Sequence, residues 1–352
     1  MQSKNLQNHF IKSSNKNSAQ DFLDNYFYAP NTLQKLLCFV LLPFSLVYLC
    51  IASFKRKLGN LHIFGGGMDF GVPLISVGNI IAGGSGKTPF IIYLAEKLTQ
   101  RYDKKICVIS RGYGRKSRGL VWVAKEGKIC ATVQNAGDEP YLIAKTLVDK
   151  KIYVLVSKDR IRGIKEAIKE GAEIILLDDA FRFGFSKFDI LLRPHKEPYF
   201  RFCLPSGLYR EWANIYNSYQ SLQNNTLPNQ HFKKGVVLKD GLDFARIVKV
   251  QNPSEKMLLL SAIANPSRLD SYLQDYAKNI VCKITLKDHA TFDKEKIQQW
   301  LESYGATSIL TTQKDEVKLE SFGLPLSIMK LHLEVDKRAL DIIIDYIESS
   351  LR

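Results

Sequence analysis

Residues 72–77 form an apolar, strand-like run, Val-Pro-Leu-Ile-Ser-Val, that passes directly into Gly-Asn-Ile-Ile-Ala-Gly-Gly-Ser-Gly-Lys-Thr-Pro at 78–89 and then into a helix-like run at 90–98. Strand, glycine-rich turn and helix in this order make a cradle for phosphate. Glycines let backbone N–H groups close around phosphate oxygens, and the helix N-terminus adds partial positive charge. On this reading Gly83, Gly84, Ser85, Gly86, Lys87 and Thr88 hold a nucleotide triphosphate. Lys87 reaches the β- and γ-phosphates, and the Thr88 hydroxyl ligates Mg²⁺. The usual spacing wants a glycine five residues before Gly86, and Ile81 stands there instead. The alternative is a glycine-rich turn carrying a surface lysine.

From residue 65 onward, strand-like and helix-like runs alternate. The strand-like runs at 72–77, 105–110, 153–156, 173–177 and 188–192 are apolar throughout, as expected where both faces of a parallel sheet are covered. Helix-like runs fall at 89–100, 138–148 and 160–170. Residues 213–235, rich in Asn, Gln, Ser and Tyr, interrupt the pattern. Strands at 257–263, 280–286, 308–311 and 326–331 and helices at 266–276, 294–304 and 337–351 follow, with no second phosphate loop. The expected fold is α/β: a P-loop-type parallel sheet layered with helices, a second, smaller α/β domain and an N-terminal membrane helix. The expected divisions are 1–57 for a polar arm and membrane anchor, 58–225 for the nucleotide-binding domain and 226–352 for the smaller domain.

The membrane expectation rests on residues 36–54, nineteen residues without a charge, followed at once by Lys55-Arg56-Lys57. As a helix this run just crosses a hydrocarbon core, and the basic cluster places its C-terminal side in the cytoplasm. A buried helix of a soluble protein is the alternative, and Pro43 favours it. The net charge of +15 suits anionic partners such as phosphorylated ligands or anionic lipid. No basic run interleaved with aromatics argues for nucleic acid. The six cysteines include no C-x-x-C pair and point to a reducing compartment without disulfides.

Several polar clusters could carry chemistry. Asp178-Asp179 closes the apolar strand 173–177, where a Mg²⁺-organising aspartate belongs in a nucleotide-triphosphate enzyme; a turn or helix cap would use the same residues. Asp138, in Gly-Asp-Glu-Pro at 137–140, is either a helix-capping acid or a carboxylate aimed into the cleft. Arg111, in Ser-Arg-Gly-Tyr-Gly-Arg at 110–115, can approach an anionic substrate or lie in a basic turn. Arg210 and Glu211 follow a tight turn at 204–209, and a surface ion pair would read the same way. His289 beside Asp288 is an oriented histidine or a structural one.

Together these segments resemble the tetraacyldisaccharide 4′-kinase family of lipid A biosynthesis. The carrying motifs are VGNIIAGGSGKTP at 77–89, SRGYG at 110–114, GDEP at 137–140, DDAFRF at 178–183, LPSGLYRE at 204–211, DHA at 288–290 and TQKDEVK at 312–318. The resemblance implies transfer of the ATP γ-phosphate to the 4′-hydroxyl of a tetraacylated glucosamine disaccharide 1-phosphate. It also implies an active site between two α/β/α units. It assigns catalysis to Asp138, His289 and Asp179, and metal ligation to Thr88, Asp178, Asp179 and Glu211. Arg111 and Arg210 would bind substrate. The partners would be the acylated disaccharide lipid and the inner-membrane surface, with the catalytic domains on the cytoplasmic side of a Gram-negative bacterium; no nucleic acid or obligate protein partner is expected. Ala180 and Arg182-Phe183 depart from the family's usual Gly and Gln-His. The rival class is a membrane-tethered nucleotide switch, which for GTP would need an Asn-Lys-x-Asp reader that the chain lacks.

Overall fold

The structure, a computed structural model, describes residues 18–61, 65–222, 235–263, 266–287 and 290–351. Most of the polar arm, part of the 213–235 interruption and the Asp288-His289 pair lie outside these residues. In chain order the elements are α1 (Ser18–Tyr28), α2 (Thr32–Gly59), β1 (Leu74–Gly78), α3 (Lys87–Arg101), β2 (Ile106–Ser110), β3 (Val121–Lys125), β4 (Lys128–Ile129), α4 (Val133–Ala136), α5 (Asp138–Leu147), β5 (Tyr153–Val156), α6 (Arg160–Lys169), β6 (Ile174–Asp178), β7 (Phe188–Arg193), β8 (Gln220–Ser221), β9 (Gly235–Lys239), β10 (Phe244–Gln251), β11 (Met257–Ser261), β12 (Ile280–Thr285), α7 (Lys294–Tyr304), β13 (Ser308–Thr312), α8 (Gln313–Leu319), β14 (Leu326–Val335) and α9 (Lys337–Leu351).

The described residues divide into two compact units. The larger comprises Ala19–Arg246 with Leu333–Arg352, and the smaller includes Ile247–His332. The chain passes between them twice, within β10 and within β14. The larger unit holds a nine-stranded sheet of order β4-β3-β5-β2-β6-β1-β7-β9-β8. Strands β5, β2, β6, β1, β7 and β9 run parallel, while β3 is antiparallel to β5 and closes one end with the β3–β4 hairpin. Every residue of β1, β2, β5 and β6 is buried, because helices cover both sheet faces. One face packs Phe90, Ile91, Leu94 and Leu98 of α3 and Ile343 and Ile347 of α9 over the sheet. The other packs Ile164 and Ala167 of α6 against Ile109 and Leu177. Each fully buried side chain of this kind contributes roughly 1.5–3 kcal/mol. The smaller unit holds a five-stranded sheet of order β10-β14-β13-β11-β12. The helix read at 266–276 forms two short 3-10 turns, Pro266–Tyr272 and Gln274–Tyr276. Its serines and aspartates compete for the backbone and disfavour a continuous α-helix.

Helix α2 starts on a capping box: the Gln34 backbone N–H donates to Asn31 Oδ1 at 2.9 Å, and the Asn31 N–H donates to Gln34 Oε1 at 3.0 Å. It is long and apolar enough to cross a membrane. Yet Gln34, Cys38, Ser45 and Ala52 form a buried stripe along it, while Phe39, Val40, Phe44, Val47, Ile51 and Phe54 are exposed. One face of α2 therefore seats on the larger unit, and the other presents an apolar surface.

Candidate active site

Because the central strands are parallel, their carboxyl ends share one sheet edge, the usual position of ligands in open α/β sheets. Strand β1 delivers the phosphate loop there. Gly86 caps α3 in the left-handed region (φ +84°), and a Cβ on it would approach the Arg246 guanidinium to 2.9 Å; only glycine meets both demands. Gly83 is also left-handed (φ +113°). Lys87 donates from Nζ to Asn79 Oδ1 at 3.3 Å, which holds its ammonium over the loop. The Asn79 amide in turn donates to the Ile81 carbonyl at 2.6 Å. Thr88 is half-buried. The Ser85 hydroxyl is buried without a hydrogen-bond partner among the described residues, as suits a loop that receives an anion. Ile81, the departure from ordinary spacing, is buried and pairs with Tyr209. This loop trades a glycine for a tie to the 204–211 segment.

The acidic pair lies beside that loop. In the β1–β6 register Asp178 faces Val77, and the Asp179 N–H donates to the Val77 carbonyl at 2.9 Å. Asp178 accepts from the Ser110 hydroxyl at 2.7 Å, which joins the end of β2 to the end of β6. Burial pushes its carboxyl up to about 6; the Glu139 charge adds to this, while Lys87 and Ser110 oppose it. Asp179 adopts a left-handed backbone (φ +55°). Burial would raise its carboxyl, but Lys87 and then Arg210 outweigh burial and hold it below the usual range. Arg210 lies 3.4 Å from Asp179 Oδ2, donates to the Asn79 carbonyl at 3.1 Å and also bonds Asn79 Oδ1. Two adjacent carboxyls are thus shifted in opposite directions, Asp178 up and Asp179 down. Beneath them the buried Arg160 donates to the Asp178 carbonyl at 2.7 Å and to the Ser157 carbonyl. No local motif marks Arg160, because its role depends on α6 starting near the β6 terminus.

The raised Asp178 has a consequence for stability. Its folded value lies above the ordinary 3.8, so between about pH 4 and pH 6 the native protein binds more proton than the unfolded chain. Its contribution therefore becomes less favourable as pH rises through that window and levels off above it. In nucleotide-free protein, the stability of Asp178→Asn relative to the parent should improve from about pH 5 to about pH 7.5, by about 1.4 kcal/mol. Thermal or urea unfolding across that range measures it. A pH-independent difference would mean that Asp178 titrates normally.

Two more motifs meet at this edge. A Cβ on Gly137 would come within 2.8 Å of the Tyr113 carbonyl, and one on Gly112 within 2.9 Å of the Ala136 carbonyl. The 110–114 and 137–140 turns therefore interlock through their glycines. This sets half-buried Asp138 as the first residue of α5 and leaves Arg111 exposed beside it.

Glu211 is placed differently. It is 1% exposed, with Arg182 Nε 2.8 Å from Oε1 and Arg56 of α2 3.8 Å from Oε2. Arg182 also donates to the Arg210 carbonyl at 2.7 Å. Among the described residues no three Asp, Glu, His or Cys side chains gather as a cation nest. Asp178 and Asp179 are thus brought together beside the phosphate loop, whereas Glu211 is engaged by arginines and does not join them in such a cluster. The donor set still suits Mg²⁺, which is commonly held by one or two carboxylates completed by water and nucleotide phosphates. His289 lies outside the described residues. A cavity of about 760 Å³, lined in part by Arg101, Lys104, Lys105, Lys151 and Tyr153, sits at the amino ends of β2 and β5 and holds none of the expected site residues.

A phosphate loop, an acidic pair and an arginine on one sheet edge fit many phosphotransferases. Comparison with known proteins narrows them. Residues 37–348 match the family model described as tetraacyldisaccharide-1-P 4′-kinase. The chain belongs to the tetraacyldisaccharide 4′-kinase family. It is similar to the tetraacyldisaccharide 4′-kinase of Helicobacter acinonychis, with 46% identity over 94% of this chain and 96% of that one. The Campylobacter jejuni enzyme of the same name is 36% identical over 93% of this chain and 96% of its own length. A crystal structure of LpxK from Aquifex aeolicus in complex with ATP superposes with a TM-score of 0.69 at 28% identity, covering 88% of this chain and 99% of that one. As a tetraacyldisaccharide 4′-kinase, the protein phosphorylates the lipid A precursor.

Proposed function

We propose that the chain transfers the ATP γ-phosphate to the 4′-hydroxyl of a tetraacylated disaccharide 1-phosphate at the inner-membrane surface, with Asp138 as the proton acceptor. The observation that carries this reading is the shared sheet edge, where Lys87, Asp178, Asp179, Arg210 and the start of α5 converge in a member of this kinase family. Phosphoryl transfer asks for alignment and charge stabilisation more than covalent chemistry. Backbone N–H groups of 83–87 cradle the phosphates, and Lys87 neutralises charge developing on the β- and γ-oxygens. Thr88, Asp178 and Asp179 would hold Mg²⁺, which supplies further neutralisation of phosphate charge when bound. Arg210 keeps Asp179 ionised and faces incoming anionic substrate, as does exposed Arg111. His289, carried over from the family resemblance, pairs with Asp138 in this proposal.

The exposed apolar face of α2 supports the membrane part. Substrate acyl chains leave a bilayer only at about 0.8 kcal/mol per methylene, so the catalytic residues must come to them. With one stripe of α2 seated on the larger unit, its exposed face is suited to lie in the lipid surface layer, cytoplasmic side. Deleting residues 1–57 would also strip the cover from buried Phe200 and Ser206, so point changes on the exposed face are the cleaner test. Mg-ATP and the tetraacylated disaccharide 1-phosphate are supplied in vesicles and, separately, in detergent micelles, with mass spectrometry of the lipid. One added phosphate is expected. Phe39→Ser with Val47→Ser should reduce the vesicle rate roughly tenfold and leave the micelle rate nearly unchanged. No phosphorylated lipid in either medium would refute the acceptor; equal vesicle rates would refute the membrane role of α2.

A further inference from the structure

The segment 204–211 is bonded on two sides. Toward the α1–α2 hairpin, the Tyr26 hydroxyl donates to the Ser206 carbonyl at 3.0 Å, the Ser206 N–H donates to Ser45 Oγ at 2.9 Å and the Ser206 hydroxyl donates to the Cys38 carbonyl at 3.1 Å. Five residues on, Glu211 receives Arg56 from the last turn of α2. Toward the nucleotide site, the Ala82 N–H donates to the Leu208 carbonyl at 2.7 Å and the Arg210 N–H donates to the Ile80 carbonyl at 2.7 Å. The Arg210 guanidinium then reaches Asn79 and Asp179. Ser206 and Tyr209 are wholly buried and Glu211 nearly so. Buried polar atoms of this kind cannot drop their partners cheaply, so the segment must follow whatever moves either side.

We propose that 204–211 couples the seating of the α1–α2 hairpin to the geometry of the phosphate loop, with Ser206 and Glu211 as its positioning residues. A seated hairpin holds Ser206 through Tyr26, Cys38 and Ser45, and Glu211 through Arg56. The segment so held fixes Ala82 and Ile80 of the loop and aims Arg210 at Asn79 and Asp179. Arg182 completes the charge balance of buried Glu211 and fastens the Arg210 carbonyl. Together with the proposed membrane role of α2, on which this part rests, nucleotide binding and membrane seating support each other, since coupling between two binding events is reciprocal.

The test is nucleotide affinity with no lipid or membrane present, measured on the full chain in detergent by Mg-ATP displacement of a fluorescent ATP analogue. Tyr26→Phe combined with Ser45→Ala, and separately Arg56→Gln, alter only the hairpin side. Each should weaken ATP binding about fivefold or more, and Arg56→Lys should restore much of the loss. Phe39→Ser with Val47→Ser, on the exposed face of α2, should leave ATP affinity unchanged while reducing vesicle flotation. Anchoring alone would move flotation and never lipid-free nucleotide affinity, so the two readouts separate this inference from the membrane reading. Unchanged ATP affinity in folded Arg56→Gln and Tyr26→Phe/Ser45→Ala proteins overturns the coupling. Half-exposed Arg56 keeps the test decisive if the double variant does not fold.

Discussion

Replacing Lys87 with alanine should lower the rate of lipid phosphorylation by about 10³-fold or more, the scale of removing a cation aimed at a phosphoryl-transfer transition state. The ammonium has two roles in this site. It is the side-chain cation of the phosphate loop, held by Asn79, and its charge also lowers the carboxyls of both Asp178 and Asp179. Removing it should therefore leave a second trace besides lost activity: both aspartates should titrate higher, measurable by NMR of labelled carboxyls in nucleotide-free protein. Lys87 is half-buried at a helix start and carries no core packing, so the melting temperature should change little. A variant retaining a tenth or more of parental activity would show that Lys87 is a surface cation on an ordinary turn.

Asp138→Asn should have the next largest effect, a fall in kcat of about 10²- to 10⁴-fold, the usual range for a general base. The amide keeps the shape of the α5 start but cannot accept a proton. Because Asp138 belongs to the 137–140 turn and not to the phosphate loop, the dissociation constant for Mg-ATP should stay within about threefold of the parent. Loss of nucleotide affinity in proportion to kcat would instead assign Asp138 to nucleotide binding and leave the base unassigned. Single-turnover phosphorylation beside equilibrium nucleotide titration separates the two.

The parts of this site legible in the sequence are those in which a short stretch of chain specifies its own geometry. The strand–glycine–Lys-Thr run fixes a phosphate loop locally, since left-handed Gly86 and the start of α3 follow from residue type and order. The fully apolar runs of β1, β2, β5 and β6 announce a covered parallel sheet, and a parallel sheet brings its carboxyl ends to one edge. Asp178-Asp179 after β6 and Ser110-Arg111 after β2 are therefore neighbours by topology alone. The nineteen uncharged residues at 36–54 likewise announce a long apolar helix, which forms as α2.

Tertiary structure decided what depends on contacts between distant stretches. Only packing seats a stripe of Cys38, Ser45 and Ala52 on the larger unit while leaving Phe39 and Val47 exposed, because composition counts apolar residues without saying which face finds a partner. Only packing engages Glu211 with Arg182 and Arg56, three residues that no local motif links, and so separates it from the acidic pair. Sequence reads Ile81 as a flaw in a phosphate loop; structure makes it the place where that loop is tied to Tyr209. The opposite shifts in acidity of Asp178 and Asp179 have the same origin. Two identical side chains one residue apart diverge because one is buried beside Ser110 and Glu139 while the other is gripped by Lys87 and Arg210, and that environment exists only once the chain has folded.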